Sequence, residues 1–322
     1  MKRFVTSIMA VTVLLLTLTG CVPKNKNVVV TSYPVEYLVR ALAGDRVNIE
    51  RLDVGANPQT STVRDDYADV LANADVVFYI NELQPYWELY RDELSDSKRS
   101  IELFDLAERS SLYTFNRYTT VEVDGSKHTL ESPYYDTANF KSVDTYEKDP
   151  FLWMDPGAMT SMGRSIKDWL IEKYPDDAQQ FEDRFAALEV ELTNLQADYQ
   201  KIRSNGKEYK IVTMTPSFGN WQRSFGIAVY PVSLSKYGVL PNEAMLNDIR
   251  TRIQQDGVKF IAYEEGMSED QIKLYNQLKT ELKLQEIKLS NLYTLSDKDV
   301  EEQFDYIIKM YQNLEALESM HR

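Results

Sequence analysis

Two runs of alternating strands and helices, separated by one long amphipathic helix, predict two α/β lobes with parallel sheets joined by a long, rigid linking helix. Three observations carry that expectation. Short runs such as Val28-Val29-Val30-Thr31 and Val76-Val77-Phe78-Tyr79 are almost uniformly apolar, as strands covered on both faces require. Patterns of helical period follow them. Between the halves, Ala178, Phe181, Phe185, Leu188, Leu192, Leu195, Tyr199 and Ile202 recur at steps of three and four, one stripe along a helix of about residues 176–203.

Residues 28–156 read as the N-terminal lobe. After the first strand, a helix opens at Tyr33-Pro34, points Val35, Leu38, Val39 and Leu42 inward, and stops at Gly44. Residues 47–52 alternate as a second strand, and residues 67–74 form a short helix before the strand at 76–79. Residues 110–148 break the rhythm. They are polar, carry Tyr113, Tyr118, Tyr134, Tyr135 and Tyr146, and hold a turn signal at Asp124-Gly125, so a solvated hairpin or mobile flap is expected. Residues 157–205 include the linking helix, which Asn205-Gly206 ends.

Residues 206–322 repeat the pattern as the C-terminal lobe. Strands are expected at 210–214, 228–232 and 259–263, and helices at 218–225, 242–255 and 269–282. A closing helix over 300–317 would place Phe304, Ile307, Ile308, Tyr311 and Leu314 on one face. No tandem sequence repeat is visible.

The N-terminus bears on location. Lys2 and Arg3 precede an apolar run from Ile8 to Leu18, then Thr19-Gly20-Cys21, the pattern of a secretory signal over residues 1–20 that is too short to span a bilayer permanently. Small residues before Cys21 fit a lipobox, whose cysteine receives lipid after cleavage. The alternative is an ordinary signal with a chance cysteine. Residues 21–27 would be a tether, and the protein a lipid-anchored one on the extracytoplasmic face of a bacterial membrane. Cys21 is the only cysteine, which rules out an intramolecular disulfide.

The 322 residues suffice for two lobes, and 43% apolar residues can fill their cores. The formal charge of −14, without a basic patch, disfavours nucleic acid as a partner. No nucleophile elbow, P-loop or His-Glu-x-x-His motif occurs. His128 and His321 are the only histidines, and no paired carboxylates stand out for glycoside hydrolysis, so an enzyme is not expected.

The segment Asp149-Pro150-Phe151-Leu152-Trp153-Met154-Asp155-Pro156 is the most specific motif. It resembles the Asp-Pro-His-x-Trp-Leu/Met-Asp-Pro signature of the TroA-like family, the zinc and manganese solute-binding lipoproteins of ABC transporters. The resemblance covers nearly all of the chain beyond the tether, apart from the Tyr-rich segment. It implies a cleft between lobes where three histidines (the third sometimes Glu) and a carboxylate hold the metal, at carboxyl ends of strands.

At each ligand position the resemblance assigns, this chain carries something else. Phe151 stands where the signature has His. In Gly55-Ala56-Asn57-Pro58-Gln59, Gln59 takes a His position. In Thr213-Met214-Thr215-Pro216-Ser217-Phe218-Gly219, Thr215 takes another, and in Leu289-Ser290-Asn291-Leu292, Ser290 replaces the carboxylate. None is a strong donor to zinc or manganese. The expected site is therefore neutral and aromatic, with Phe151, Trp153 and Trp221 as walls and Gln59, Thr215, Ser290 and Asn291 as hydrogen-bonding groups. The rings could equally fill the space and leave a closed core. Glu264-Glu265 follow a strand where the family also carries Glu. With Asp65, Asp66 or Asp155 they could hold a hard cation if these converge, or simply form a surface pair.

The reading expects a receptor for an ABC importer, with no metal or cofactor of its own. It would be a monomer that binds a small organic molecule or a chelated metal and delivers it to a permease. The alternatives are a cargo-free surface interaction or regulatory lipoprotein, and a zinc or manganese receptor using non-standard carboxylates.

Overall fold

The computed structural model describes residues 25–88, 90 and 101–321. The signal segment and Cys21 lie outside them.

Two four-stranded parallel sheets form the lobes. The first contains β1 (Lys26–Val30), β2 (Val47–Arg51), β5 (Val76–Tyr79) and β6 (Glu102–Asp105), in the order β2-β1-β5-β6. β1 is central: Val28 lies opposite Ile49 on one side and Val76 on the other. Between β1 and β2 runs α1 (Tyr33–Ala43), with Pro34 in its first turn, where no N–H is needed. Gly44 follows at φ 55°, a conformation only glycine adopts readily. Two short antiparallel strands, β3 (Asp53–Val54) and β4 (Thr62–Val63), pinch the loop carrying Pro58 and Gln59. α2 (Tyr67–Asn73) leads into β5.

The second sheet holds β9 (Lys210–Thr213), β10 (Ala228–Pro231), β11 (Phe260–Glu264) and β12 (Gln285–Leu289), in the order β10-β9-β11-β12. Counted within each lobe, both orders are second, first, third, fourth. The lobes are topological repeats although their sequences show none. β6 and β12 escape sequence reading because their apolar content is low: β6 is half-exposed throughout, and only Ile287 and Leu289 of β12 are buried. They lack the continuous apolar run that marks a central strand.

The spine comprises α3 (Pro156–Lys173) and α4 (Ala178–Ser204), joined by one short turn over Pro175–Asp177. α4 has 27 residues and buries Phe181, Phe185, Leu188, Leu192, Leu195, Tyr199 and Ile202, the stripe expected from sequence. At roughly 40 Å it is long enough to serve both lobes. It packs on α1 and α3, and also on α5 (Asn220–Phe225) and α9 (Tyr306–Ser319). The C-terminal lobe is completed by α6 (Glu243–Gln255) and α7 (Glu269–Glu281).

Two expectations need correction. Residues 300–317 do not form one helix. α8 (Asp297–Glu301) starts at a Ser296/Asp299 capping box, the chain turns through Gln303 at φ 57°, and Asp305 caps α9 afresh. The buried face of α9 is therefore Tyr306, Lys309, Met310, Asn313, Leu314 and Leu317, while Ile308 and Tyr311 are exposed. The buried Lys309 is paired with Asp299 at 2.8 Å.

The Tyr-rich segment is a hairpin in part only. β7 (Arg117–Val123) and β8 (Ser126–Ser132) form an antiparallel ribbon turning at Asp124-Gly125. Residues 133–148 are instead strapped to the C-terminal lobe. Tyr135 donates its hydroxyl to Pro231 O, Thr137 and Asn139 donate to Asp248, and Lys236 N–H donates to Asp144 O. Tyr134, Tyr135 and Tyr146 are buried. Tyr113 and Tyr118 are half-buried, so none of the five tyrosines of the segment is fully exposed as a solvated flap would have them.

Candidate functional site

Carboxyl ends of strands from both sheets face the seam between the lobes, and the loops after them bring the anticipated residues together. After β2 comes the loop with Gln59, after β9 the Thr215 loop, at the end of β11 Glu264, and after β12 Ser290 and Asn291. Phe151 and Trp153 arrive from the segment before α3, and Trp221 from α5. Asp155 caps α3 by accepting N–H bonds from Gly157 and Ala158, with Pro156 following it.

These residues are engaged, a few with one another and most with neighbours outside the anticipated set. Phe151 is 0% exposed, with its ring edge-on to Tyr146 and Trp153 at centroid distances of 5.6 and 5.5 Å. Its backbone is pinned on both sides: Phe151 N–H donates to Asp149 Oδ1, and Asn220 Nδ2 donates to Phe151 O. Trp153 Nε1 donates to Asn291 O at 2.7 Å, and Tyr306 donates its hydroxyl to Trp153 O at 2.7 Å. Trp221 Nε1 donates to Met154 O. Gln59 Nε2 donates across the seam to Ser235 O, while Gln59 Oε1 is buried without a hydrogen-bond partner in the protein. Ser290 and Asn313 are locked by a reciprocal pair of bonds, each 2.8 Å.

Glu264 holds the Thr215 loop in shape. Its Oε1 accepts from Met214 N–H at 2.6 Å and Thr215 N–H at 3.1 Å, and its Oε2 accepts from Thr215 Oγ1 at 2.5 Å. Complete burial pushes this carboxyl up to about 7, which those bonds only partly offset. Asp149 is likewise raised to about 7 by burial, with the Phe151 N–H acting the other way. Gly219 sits so close to Asp149 that a β-carbon there would overlap Asp149 Oδ2. Glu265, by contrast, is exposed and lies 3.4 Å from Lys309. Asp66 pairs with Arg64 in solvent. Among the described residues no three His, Cys, Asp or Glu side chains come together as a metal-holding group.

Sequence reasoning passed over two residues that organise the seam. Asp149 opens the signature motif, and the motif itself assigns it no role at the seam. Tyr293 is buried between the lobes: its hydroxyl donates to Ser61 Oγ at 3.0 Å and accepts from Gln84 Nε2 at 3.2 Å, while its carbonyl accepts from Tyr33 N–H. Arg51, paired with Asp53 at 2.7 Å, adds a bond to Thr294 Oγ1 at 3.1 Å. Buried aromatic residues with polar tips follow from tertiary geometry, and no local pattern marks them.

Cavities border the described residues, three of them as follows. One of about 320 Å³ lies between Phe140 and Val143 of the strap and Leu234, Leu240 and Met245 of the C-terminal lobe. Another of about 400 Å³ lies beside Lys288, Ser290 and Lys309, and a third of about 280 Å³ beside Phe115 and Tyr134. Gln59, Phe151, Trp153, Thr215, Trp221, Glu264 and Asn291 line none of the three.

Comparison with known proteins places the chain. It is 25% identical over 295 residues to the zinc-binding lipoprotein AdcA of Streptococcus pneumoniae, which covers 90% of this chain and 55% of that protein. It is 24% identical over 173 residues to the high-affinity zinc uptake system protein ZnuA of Bacillus subtilis, covering 54% and 53% respectively. The chain thus spans about half the length of the curated relatives it matches. Among solved structures, the periplasmic zinc-binding protein TroA from Treponema pallidum superposes with a TM-score of 0.70 at 17% identity, over 92% of this chain and 98% of that one. The Zn(II)-bound ZnuA-like domain of Streptococcus pneumoniae AdcA gives 0.66 at 24%, with the same coverage. These likenesses show a shared fold. Residues 28–320 match the family described as ZnuA, zinc-uptake complex component A, periplasmic, and the chain belongs to that family.

Proposed function

We propose that this chain is a lipid-anchored extracytoplasmic protein of the solute-binding class whose inter-lobe cleft is closed by its own side chains. It serves as a surface interaction or regulatory lipoprotein beside an ABC permease, and carries no free zinc or manganese ion at the family's site. The family is a solute-binding one rather than an enzyme class. Relatives named as zinc-binding lipoproteins support the location and the importer context.

The observation that carries the reading is the complete burial of Phe151 between Tyr146 and Trp153, at the position where the resemblance assigns a ligand histidine. A phenyl ring has no lone pair to offer a cation. The other three positions supply an amide, Gln59, whose Nε2 is spent on Ser235 O, and two hydroxyls, Thr215 and Ser290. Zinc wants imidazole, thiolate or carboxylate ligands, and manganese, a harder cation, wants several carboxylate or carbonyl oxygens at once. Glu264 brings one carboxylate, and both of its oxygens are already accepting bonds.

A second reading, a small organic or chelated cargo, is favoured by the 320 Å³ cavity beneath the strap and by the unpartnered Gln59 Oε1. Thermal denaturation separates the two. A ligand at 100 times its Kd stabilises the native state by about 2.7 kcal/mol, which raises Tm by several degrees. We expect zinc, manganese and a broad small-molecule panel to leave Tm unchanged. An organic hit abolished by Leu234→Trp, which fills the cavity, would establish the second reading. A shift with zinc alone would return the chain to metal uptake. Anchoring is tested by Cys21→Ala, which should move the protein from the membrane fraction to the soluble one.

A further inference from the structure

The ribbon of β7 and β8 stands apart from both sheets, and its outer strand is exposed at every residue from Ser126 to Ser132. β7 is the anchored member. Arg117 donates to Asp256 Oδ2 at 2.8 Å and to Tyr230 Oη at 3.2 Å, tying the ribbon to the C-terminal lobe. No described strand pairs with the far edge of β8. Val123 and Leu130 lie 52% and 54% exposed on one face of the ribbon. Such an edge is a template for another strand unless something blunts it. β8 has neither a proline nor a bulge to do so.

The register says which backbone groups are open. Asp124 and Gly125 both have positive φ, 52° and 75°, the two-residue turn that closes a ribbon on a hydrogen-bonded pair, here Val123 and Ser126. Alternation then turns the N–H and C=O groups of Ser126, His128, Leu130 and Ser132 toward β7. Those of Lys127, Thr129 and Glu131 point outward.

We propose that this edge pairs with the same edge of a second copy, giving a twofold-symmetric dimer through a four-stranded antiparallel sheet. An antiparallel self-pairing centred on Thr129 sets Thr129 against itself and Lys127 against Glu131 of the other copy, twice by symmetry. The three outward-facing residues are the three that such pairing needs, and the charges at its ends are opposite. Shifting the centre by one residue, to His128 or Leu130, drops one outward-facing pair and both opposite-charge pairs. Shifting it by two, to Lys127 or Glu131, puts like charges face to face on the axis, so the register centred on Thr129 is favoured. The twofold closes the contact instead of propagating it. One strand edge is a small interface, suited to reversible association of proteins gathered on a surface. The sequence reading expected a monomer; the edge argues for a dimer whether or not the cleft binds anything.

The test uses the full chain with Cys21→Ala and Thr129→Cys, so that position 129 carries the sole thiol. Across a hydrogen-bonded antiparallel pair the Cα atoms lie about 5.5 Å apart, within disulfide reach. Mild oxidation should cross-link this variant at least about tenfold faster than one carrying Val190→Cys, an exposed position on α4 that reports random collision. Adding Lys127→Glu should slow cross-linking about tenfold, because two like-charge pairs replace two opposite ones. Adding Glu131→Lys to that should restore the rate to within about threefold. Both variants put a carboxylate at position 127, opposite Glu122 of the same ribbon. Glu131→Lys further removes the bond that Glu131 Oε1 accepts from Asn116 Nδ2, a loss that can only loosen the hairpin, so a restored rate reports pairing between copies. Cross-linking of position 129 no faster than position 190, or a charge swap that restores nothing, overturns the proposal.

Discussion

Phe151→Ala should lower the stability of the native protein by about 3–5 kcal/mol, the cost of emptying a ring-sized space in a packed core. The expectation rests on the ring's complete burial and its edge contacts with Tyr146 and Trp153. The neighbours cannot relax easily into the gap. Trp153 is tied through Nε1 to Asn291 and through its carbonyl to Tyr306, and the Tyr146 hydroxyl donates to Leu83 O. Phe151→Leu keeps most of the volume and should cost much less. Urea unfolding of the three proteins reads this directly. A loss under about 1 kcal/mol for the alanine variant would mean the ring borders open space, as in a ligand pocket.

Stability should fall as pH rises from about 4.5 to about 7. Asp149 and Glu264 are both raised to about 7 in the folded state, from ordinary values of 3.8 and 4.5. Across that window the native state holds protons that the unfolded chain has released, so deprotonation favours unfolding. The contribution is fully present below the unfolded values and is lost as pH passes the folded ones. It is on the order of 3 kcal/mol per group. Glu264→Gln is the discriminating variant, since its amide oxygen can still accept from Met214 and Thr215 N–H but cannot ionise. Its stability should vary about half as steeply with pH over the window, with Asp149 supplying the rest. An unchanged slope, or stability that rises with pH in this range, would show that the seam carboxyls are ionised and partnered by cations.

Much of the fold was legible because central strands and the spine are written in local patterns. Val28 to Val30, Val76 to Phe78 and the stripe of α4 from Phe181 to Ile202 bury the residues their patterns mark, while Tyr79 and Ala178 are half-buried. The failures have separate causes. β6 and β12 are edge strands with weak apolar content, and the break before α9 depends on two successive caps inside a stretch that keeps its helical period. The strap over residues 133–148 is held by hydrogen bonds to Pro231 and Asp248, about a hundred residues away, and no local signal reports those.

The site divides similarly. The structure places Gln59, Thr215 and Ser290 in loops after β3, β9 and β12, Glu264 at the end of β11, and Phe151 in the segment before α3. Whether their rings leave a space is a question of interlocking shape. It is decided by partners such as Tyr146, Tyr293 and Asn313, whose roles no motif announces.

A calorimetric zinc titration, run on protein purified without chelator and paired with metal analysis of the same sample, bears most directly on the sealed cleft. A sealed cleft predicts no stoichiometric zinc in the purified protein and no saturable heat at micromolar concentrations. Phe151→His should behave the same way, because Gln59, Thr215 and Ser290 still offer no strong donors. One equivalent of tightly held zinc in the unaltered protein, lost on Glu264→Ala, would contradict it.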